Sequence, residues 1–210
     1  SIDMVATDDV INAAEQTVAI TGTNEAGATV DLSLGSNTRT ATVTGTTWSY
    51  TLTAADITAM GQDAETLSVT QTDAAGNTST AATRDISVDT LAPTISSVVL
   101  SSATGAQNNT LDAGDTVTAT VNFSEAVTVT GTPQLALDIG GTTVQASYAG
   151  GSGATALTFS YTILAGQTDA DGIAISLDSL ALNTGTIKDA VGNDATLAHA
   201  AVVDNASYMV

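Results

Sequence analysis

Carboxylates dominate the chemistry open to this 210-residue chain. Its 22 Asp and Glu face three Lys and Arg, one His and no Cys, for a formal net charge of -19. The acidic and amide residues recur in one order along the two halves. Ile11-Asn12-Ala13-Ala14-Glu15 is echoed by Leu111-Asp112-Ala113-Gly114-Asp115, and Glu25 by Glu125. Asp73-Ala74-Ala75-Gly76-Asn77 is echoed by Asp189-Ala190-Val191-Gly192-Asn193, and Val88-Asp89-Thr90 by Val203-Asp204-Asn205. Any one of these could be a turn, because Asp and Asn bond their own backbone two residues on. Four correspondences in the same order indicate an internal repeat.

Oxygen-rich clusters of this kind suit a hard divalent cation. Calcium takes roughly six to eight oxygen ligands and tolerates irregular geometry, whereas magnesium keeps its waters. Zinc calls for Cys or His, and the chain offers His199 alone. Catalysis is not expected. His199 lies in the small-residue run Leu197-Ala198-His199-Ala200-Ala201, and no Ser stands in a Gly-x-Ser-x-Gly setting. A polyanion repels nucleic acid and anionic membranes, which removes both as partners. No apolar run approaches the roughly 20 residues of a membrane span. Asp169-Ala170-Asp171-Gly172 resembles the opening of an EF-hand loop, but Ile173 stands at the fifth position, so a solvated turn is expected. Asp8-Asp9 reads as a surface acid pair.

The elements that would position these residues are strands. Apolar and polar residues alternate over Val18–Ile20, Val30–Leu34, Trp48–Leu52, Leu67–Val69 and Ile86–Val88, then over Val117–Phe123, Leu135–Ile139, Leu157–Ile163 and Ile173–Leu177. Period two marks a strand with one buried and one wet face. One helix is predicted over Ala54–Met60, capped by Thr53 with Asp56 three residues on, and ended by Gly61. Gly140-Gly141 and Gly150–Gly153 predict hairpin turns. Pro93, which cannot donate to a ladder and holds Ala92 extended, marks a seam at Asp89–Pro93. The expected organisation is all-β: two tandem immunoglobulin-like sandwiches over residues 1–90 and 91–210, the second enlarged by hairpins.

Placed on such a sandwich, Glu125 and Asp189–Asn193 fall at the pole where the chain comes into the second domain. Asp89 lies on the linker leading there. Asp89, Glu125 and Asp189, with the Asn193 amide oxygen, are therefore expected to form one oxygen cage. Glu25 and Asp73–Asn77 fall at the corresponding pole of the first domain.

Longer phrases carry a family likeness: Thr72–Thr78 running to Val88–Pro93, Phe123–Leu135, and Ile187–Asn193. On these the chain resembles tandem bacterial Ig-like extender domains of giant repeats-in-toxin adhesins and biofilm-associated surface proteins. The resemblance implies a secreted, outer-membrane-tethered protein whose domains act as stalk units with calcium at their junctions. Their partners would be neighbouring repeats of the same chain, with host or surface ligands bound through other domains. It implies that Asp89, Glu125, Asp189 and Asn193 hold calcium within the chain. Glu25, Asp73 and Asn77 would then hold half of a site shared with a preceding domain. The competing expectation is a calcium-dependent sugar- or peptide-binding module, for which Tyr148, beside the glycine-rich loop, is the one candidate platform.

Overall fold

The computed structural model describes residues 1–210, and these divide into two compact units, Ser1–Leu91 and Ala92–Val210. Both are built from strands, and no helix is long and apolar enough to cross a membrane.

The first unit contains β1 (Val10–Ile11), β2 (Ala19–Thr23), β3 (Thr29–Leu34), β4 (Asn37–Thr40), β5 (Thr42–Thr44), β6 (Thr47–Thr51), α1 (Ala54–Met60), β7 (Asp63–Thr72) and β8 (Ala82–Val88). A five-stranded sheet ordered β1-β8-β7-β3-β4 faces a three-stranded sheet ordered β2-β6-β5. The inward residues of the alternating runs make the core: Ile20, Val30, Leu32, Leu34, Trp48, Leu67, Val69, Ile86 and Val88 are all buried. The helix occupies the predicted span. Its cap is more than local, because Asp56 is fully buried and serves as a hub. Asp56 accepts from the Thr53 hydroxyl at 2.7 Å, the Tyr50 hydroxyl at 2.8 Å, Arg39 Nε at 2.8 Å and Asn37 Nδ2 at 3.1 Å. Burial opposes ionisation of this carboxyl. The hydrogen bonds from Thr53, Tyr50 and Asn37 outweigh that and hold its pKa at about 2.

The second unit contains β9 (Ile95–Thr104), β10 (Thr116–Thr130), β11 (Gln134–Ile139), β12 (Thr142–Gly150), β13 (Ala154–Thr162), β14 (Leu180–Ala181) and β15 (Thr186–Lys188). The path is β14-β11-β12-β13-β10-β15, with β9 also on β10. Strand β10 changes partners along its length. Thr116–Phe123 lie against β9 and Thr116–Asn122 against β13, whereas Thr128–Thr130 lie against β15. Its inward residues Val117, Ala119, Val121, Phe123 and Val127 meet Leu135, Leu137, Leu157 and Phe159 in one core. Gly140 and Gly141 both have positive φ and close the two-residue turn in which Ile139 pairs with Thr142. This is the conformation for which glycine carries no steric penalty.

Two readings of the sequence are corrected. Ile173–Leu177 is not a strand. Ala174 and Ile175 make single bridges to Asp138 and Val202, and Leu177 is 64 % exposed. Asp8-Asp9 is not merely a surface pair. Asp9 forms a two-point ion pair with Arg84, Nε at 2.6 Å and Nη2 at 2.5 Å, and also accepts the Val5 N–H. The Arg84 hydrogen bond, followed by that from Val5, brings the Asp9 pKa down to about 2.

Candidate metal centre

The loop following β15 is organised by its own first residue. Asp189 Oδ1 accepts the backbone N–H groups of Val191 at 2.9 Å and Asn193 at 2.8 Å, and Oδ2 accepts Asn193 Nδ2 at 2.7 Å. The loop closes through Asp189 N–H on the Asn193 carbonyl at 3.1 Å. Both residues are buried, at 5 % and 3 % exposure. The loop between β7 and β8 repeats this arrangement. Asp73 Oδ1 accepts from Ala75 N and Asn77 N, both at 2.8 Å, and Oδ2 from Asn77 Nδ2 at 2.8 Å. The Asn77 side chain, then its backbone N–H, lowers the Asp73 pKa. The turns before β2 and β10 also correspond. Glu15 Oε2 accepts Asn12 N–H at 3.2 Å, and Asp115 Oδ2 accepts Asp112 N–H at 2.8 Å. The repeat seen in the sequence is thus a repeat of hydrogen-bonded loops.

Glu125 lies within β10, where the register with β13 shifts between Asn122 and Val127. A bulged stretch lets the strand change partners and re-aims the side chains there. Asp89 follows β8 by one residue. Its backbone N–H bonds the Ile11 carbonyl, and its carboxylate accepts Leu91 N–H at 3.2 Å.

Asp89, Glu125 and Asp189 form a group of carboxylates that could hold a metal ion, and an all-oxygen donor set fits a hard cation better than zinc.

Glu25, Asp73 and Asn77 are also brought together. With Gln71, Thr78 and Ser79 they line an open pocket of about 180 Å³. Gln71 Oε1 fixes this edge by accepting the Glu25 backbone N–H at 2.8 Å.

The remaining candidates have structural partners. Asp169 is not solvated: it is 4 % exposed and accepts the N–H groups of Gly140 and Gly172, each at 2.8 Å. Its hydrogen bond with Asp171 raises the Asp171 pKa, helped by the nearby charge of Asp204. His199 spends both ring nitrogens on backbone. Nδ1 is 2.8 Å from the Ala200 carbonyl and Nε2 is 2.8 Å from Ser179 N–H, which assigns the tautomer as Nδ1–H. Tyr148 is no open platform. Its ring packs edge-on against Phe159 at 5.8 Å, and its hydroxyl accepts Ser152 N–H at 2.8 Å. The Asp56 hub escaped sequence reading, since Asn37, Arg39, Tyr50 and Asp56 share no spacing pattern. Its only signal was the helix-capping position of Asp56.

Residues 5–87 match the family model described as bacterial Ig domain, which spans most of the first unit. A solved structure from a 1.5-MDa bacterial ice-binding adhesin, studied for host cell surface retention, aligns with 91 % of this chain at 22 % identity and a TM-score of 0.51. This chain spans only 59 % of that one. Fibronectin(III)-like modules of CbhA from Clostridium thermocellum align with 93 % of this chain and 88 % of their own at 14 % identity and a TM-score of 0.35. No curated protein matches. The fold is therefore all-β and Ig-like, and the chain is similar to the bacterial Ig-like domains of a large adhesin.

Proposed function

We propose that the chain is a calcium-rigidified extender segment of a secreted bacterial surface adhesin, with domains over residues 1–90 and 91–210. Its task is to hold an adhesive tip away from the cell for attachment or biofilm formation. The observation that carries this reading is the carboxylate group Asp89, Glu125 and Asp189, which could hold a metal ion. Asp89 belongs to the segment leading out of one domain, and Glu125 and Asp189 belong to the other. A calcium ion on all three ties both to one point and replaces mutual repulsion with attraction. Asn193 completes the set through its amide oxygen, and Glu25, Asp73 and Asn77 form the corresponding half-site toward a preceding repeat. The similarity to a bacterial adhesin supports a location outside the cell, tethered to the outer membrane, with neighbouring repeats as partners. A structural role also accords with a His199 committed to backbone hydrogen bonds.

The test is a calcium titration of the whole chain by calorimetry, with small-angle scattering at each end point. Saturable binding accompanied by a more extended, less variable particle supports the proposal. Absence of binding, or identical scattering in calcium and in EDTA, overturns it.

A further inference from the structure

The loops that begin at Asp73 and Asp189 stay in step beyond their asparagines. Thr72 bridges Thr78 as Lys188 bridges Asp194. Ser79 N–H bonds the Gln71 carbonyl as Ala195 N–H bonds that of Ile187, both at 2.9 Å. The next residue separates the two units. Thr196 N–H donates to the Pro93 carbonyl at 2.8 Å, and Thr196 forms a parallel bridge with Thr94. Thr80 N–H, in the corresponding place, has no acceptor in the protein.

The opening segments of the two units correspond as well. Thr94 N–H donates to Ser124 Oγ at 3.0 Å, and the Thr94 carbonyl accepts Ser124 N–H at 2.8 Å. Ser1 N donates to the Thr23 carbonyl at 3.0 Å, and Ser1 Oγ lies 2.9 Å from Thr23 Oγ1. One residue on, Ile95 and Ile2 each pack partly buried against the core of their own unit. Four residues on, Val98 and Val5 are buried. Thr94 and Ser1 are therefore counterparts, and the counterpart of Pro93 is the residue joined to Ser1 in a tandem array.

Pro93 is buried. At the matching place the first unit has a pocket of about 230 Å³ between Thr23 and Thr80. Val30, Trp48, Val69 and Ala82 supply apolar walls, and no charged residue lines it. Trp48 Nε1 also donates to the Ser1 carbonyl at 3.2 Å, which holds Ser1 against the pocket wall.

We infer that this pocket is the seat for the linker of a neighbouring repeat, an extended segment whose last residue before Ser1 is a proline. The second unit displays that occupant's chemistry in Ala92-Pro93-Thr94. A proline ring suits apolar walls and brings no N–H that would need an acceptor. Its carbonyl supplies Thr80 N–H with the acceptor that Pro93 supplies to Thr196. A charged residue in the same place would be buried without a partner. The inference rests on the reading of the chain as one repeat among neighbours, but not on calcium.

The experiment adds a copy of Asp89–Pro93 before Ser1 of the complete chain and is run in EDTA throughout. Amide exchange followed by NMR should show Thr80 N–H slowed about tenfold relative to the unextended chain. The first unit should also melt at a higher temperature. An extension with aspartate in place of its proline should give neither effect. Ala82→Phe, which narrows the pocket from a half-buried position, should remove the difference in melting between extended and unextended chains. An extended chain whose Thr80 exchanges as before overturns the inference. So does equal protection by the aspartate extension, or an undiminished gain in the Ala82→Phe background. Saturable calcium binding beside an unprotected Thr80 strikes this inference alone, whereas a protected Thr80 without calcium binding strikes the calcium reading alone.

Discussion

Asn193 is bound to the Asp189 carboxylate twice, by its side-chain amide at 2.7 Å and its backbone N–H at 2.8 Å. The loop bearing the proposed ligand is therefore closed by protein groups alone. An ion arriving there meets a formed loop, which lowers the ordering cost of binding. Asp189→Asn cannot reproduce this closure, because an amide offers one acceptor oxygen where the carboxylate uses two. Its expected effect is loss of both calcium binding and a stability increment of about 1–3 kcal/mol, visible in a denaturant melt run in EDTA. An unchanged melt in EDTA would show that the loop does not depend on the carboxylate.

Asp89→Ala should separate binding from folding. Asp89 belongs to neither hydrophobic core, and its side chain accepts the Leu91 N–H within its own turn, so the substitution leaves both cores intact. Calorimetry should then show fewer calcium ions bound than in the parent, with the circular dichroism spectrum unchanged. Equal stoichiometry would remove Asp89 from the site.

Calcium should raise the melting temperature, and EDTA should lower it, by mass action. A ligand at 100 times its Kd adds about 2.7 kcal/mol to the state that binds it. Superimposable melts in millimolar calcium and in EDTA would count against any structural ion.

The acid response of the first unit is shared by Asp9 and Asp56, and a distinct part of it belongs to Asp56. Its folded-state pKa of about 2 lies below the unfolded value of about 3.9. The ionised form is therefore the one that folding favours. Its contribution is present above pH 4 and is lost as pH falls toward 2. Asp56→Asn should flatten that limb of the stability profile and lower neutral-pH stability by about 2 kcal/mol, since a charge-assisted network becomes a neutral one. A parallel acid limb in the variant would place the sensitivity elsewhere.

Asp171 predicts the opposite sign. Its pKa is raised, foremost by the hydrogen bond to Asp169, so folding favours its protonated form. That contribution is full in acid and disappears as pH rises through the folded pKa. Asp171→Asn keeps a donor facing Asp169 and should stabilise the chain at neutral pH, read as a higher melting temperature in EDTA. No gain at pH 7 would dissociate the Asp169–Asp171 contact from stability.

Periodicity revealed what period two can reveal. Val117–Phe123 and Leu135–Ile139 alternate cleanly because each has one buried face, and each is a strand. Strand β9 was invisible, because its ladder to β10 slips at Ser101. Val98 and Leu100 are buried and Val99 is exposed, so three apolar residues in a row among serines hide the alternation. Ile173–Leu177 alternates yet finds only single bridges, since alternation reports burial and not a neighbouring ladder. Within the site, Asp189 and Asn193 were legible through their repeat of Asp73 and Asn77. The environment of Glu125 was not, because a bulge inside one long strand leaves no turn residue to mark it. The Asp56 network depended on a tertiary meeting of Asn37, Arg39 and Tyr50 that no local pattern encodes.

The pairing of the few cations has a consequence outside the metal site. Arg39, Arg84 and Lys188 are the whole basic complement, and each is held by a carboxylate, Asp56, Asp9 and Asp194 respectively. All three lie in strands, β4, β8 and β15. A protease that cuts after basic residues needs an extended, unpaired stretch of chain to fit its cleft, and the folded chain offers none at these positions. Digestion by such an enzyme must wait for local or global opening. Trypsin therefore acts on this polyanion as a clock for unfolding, and its exposed acidic loops can be long without becoming points of attack.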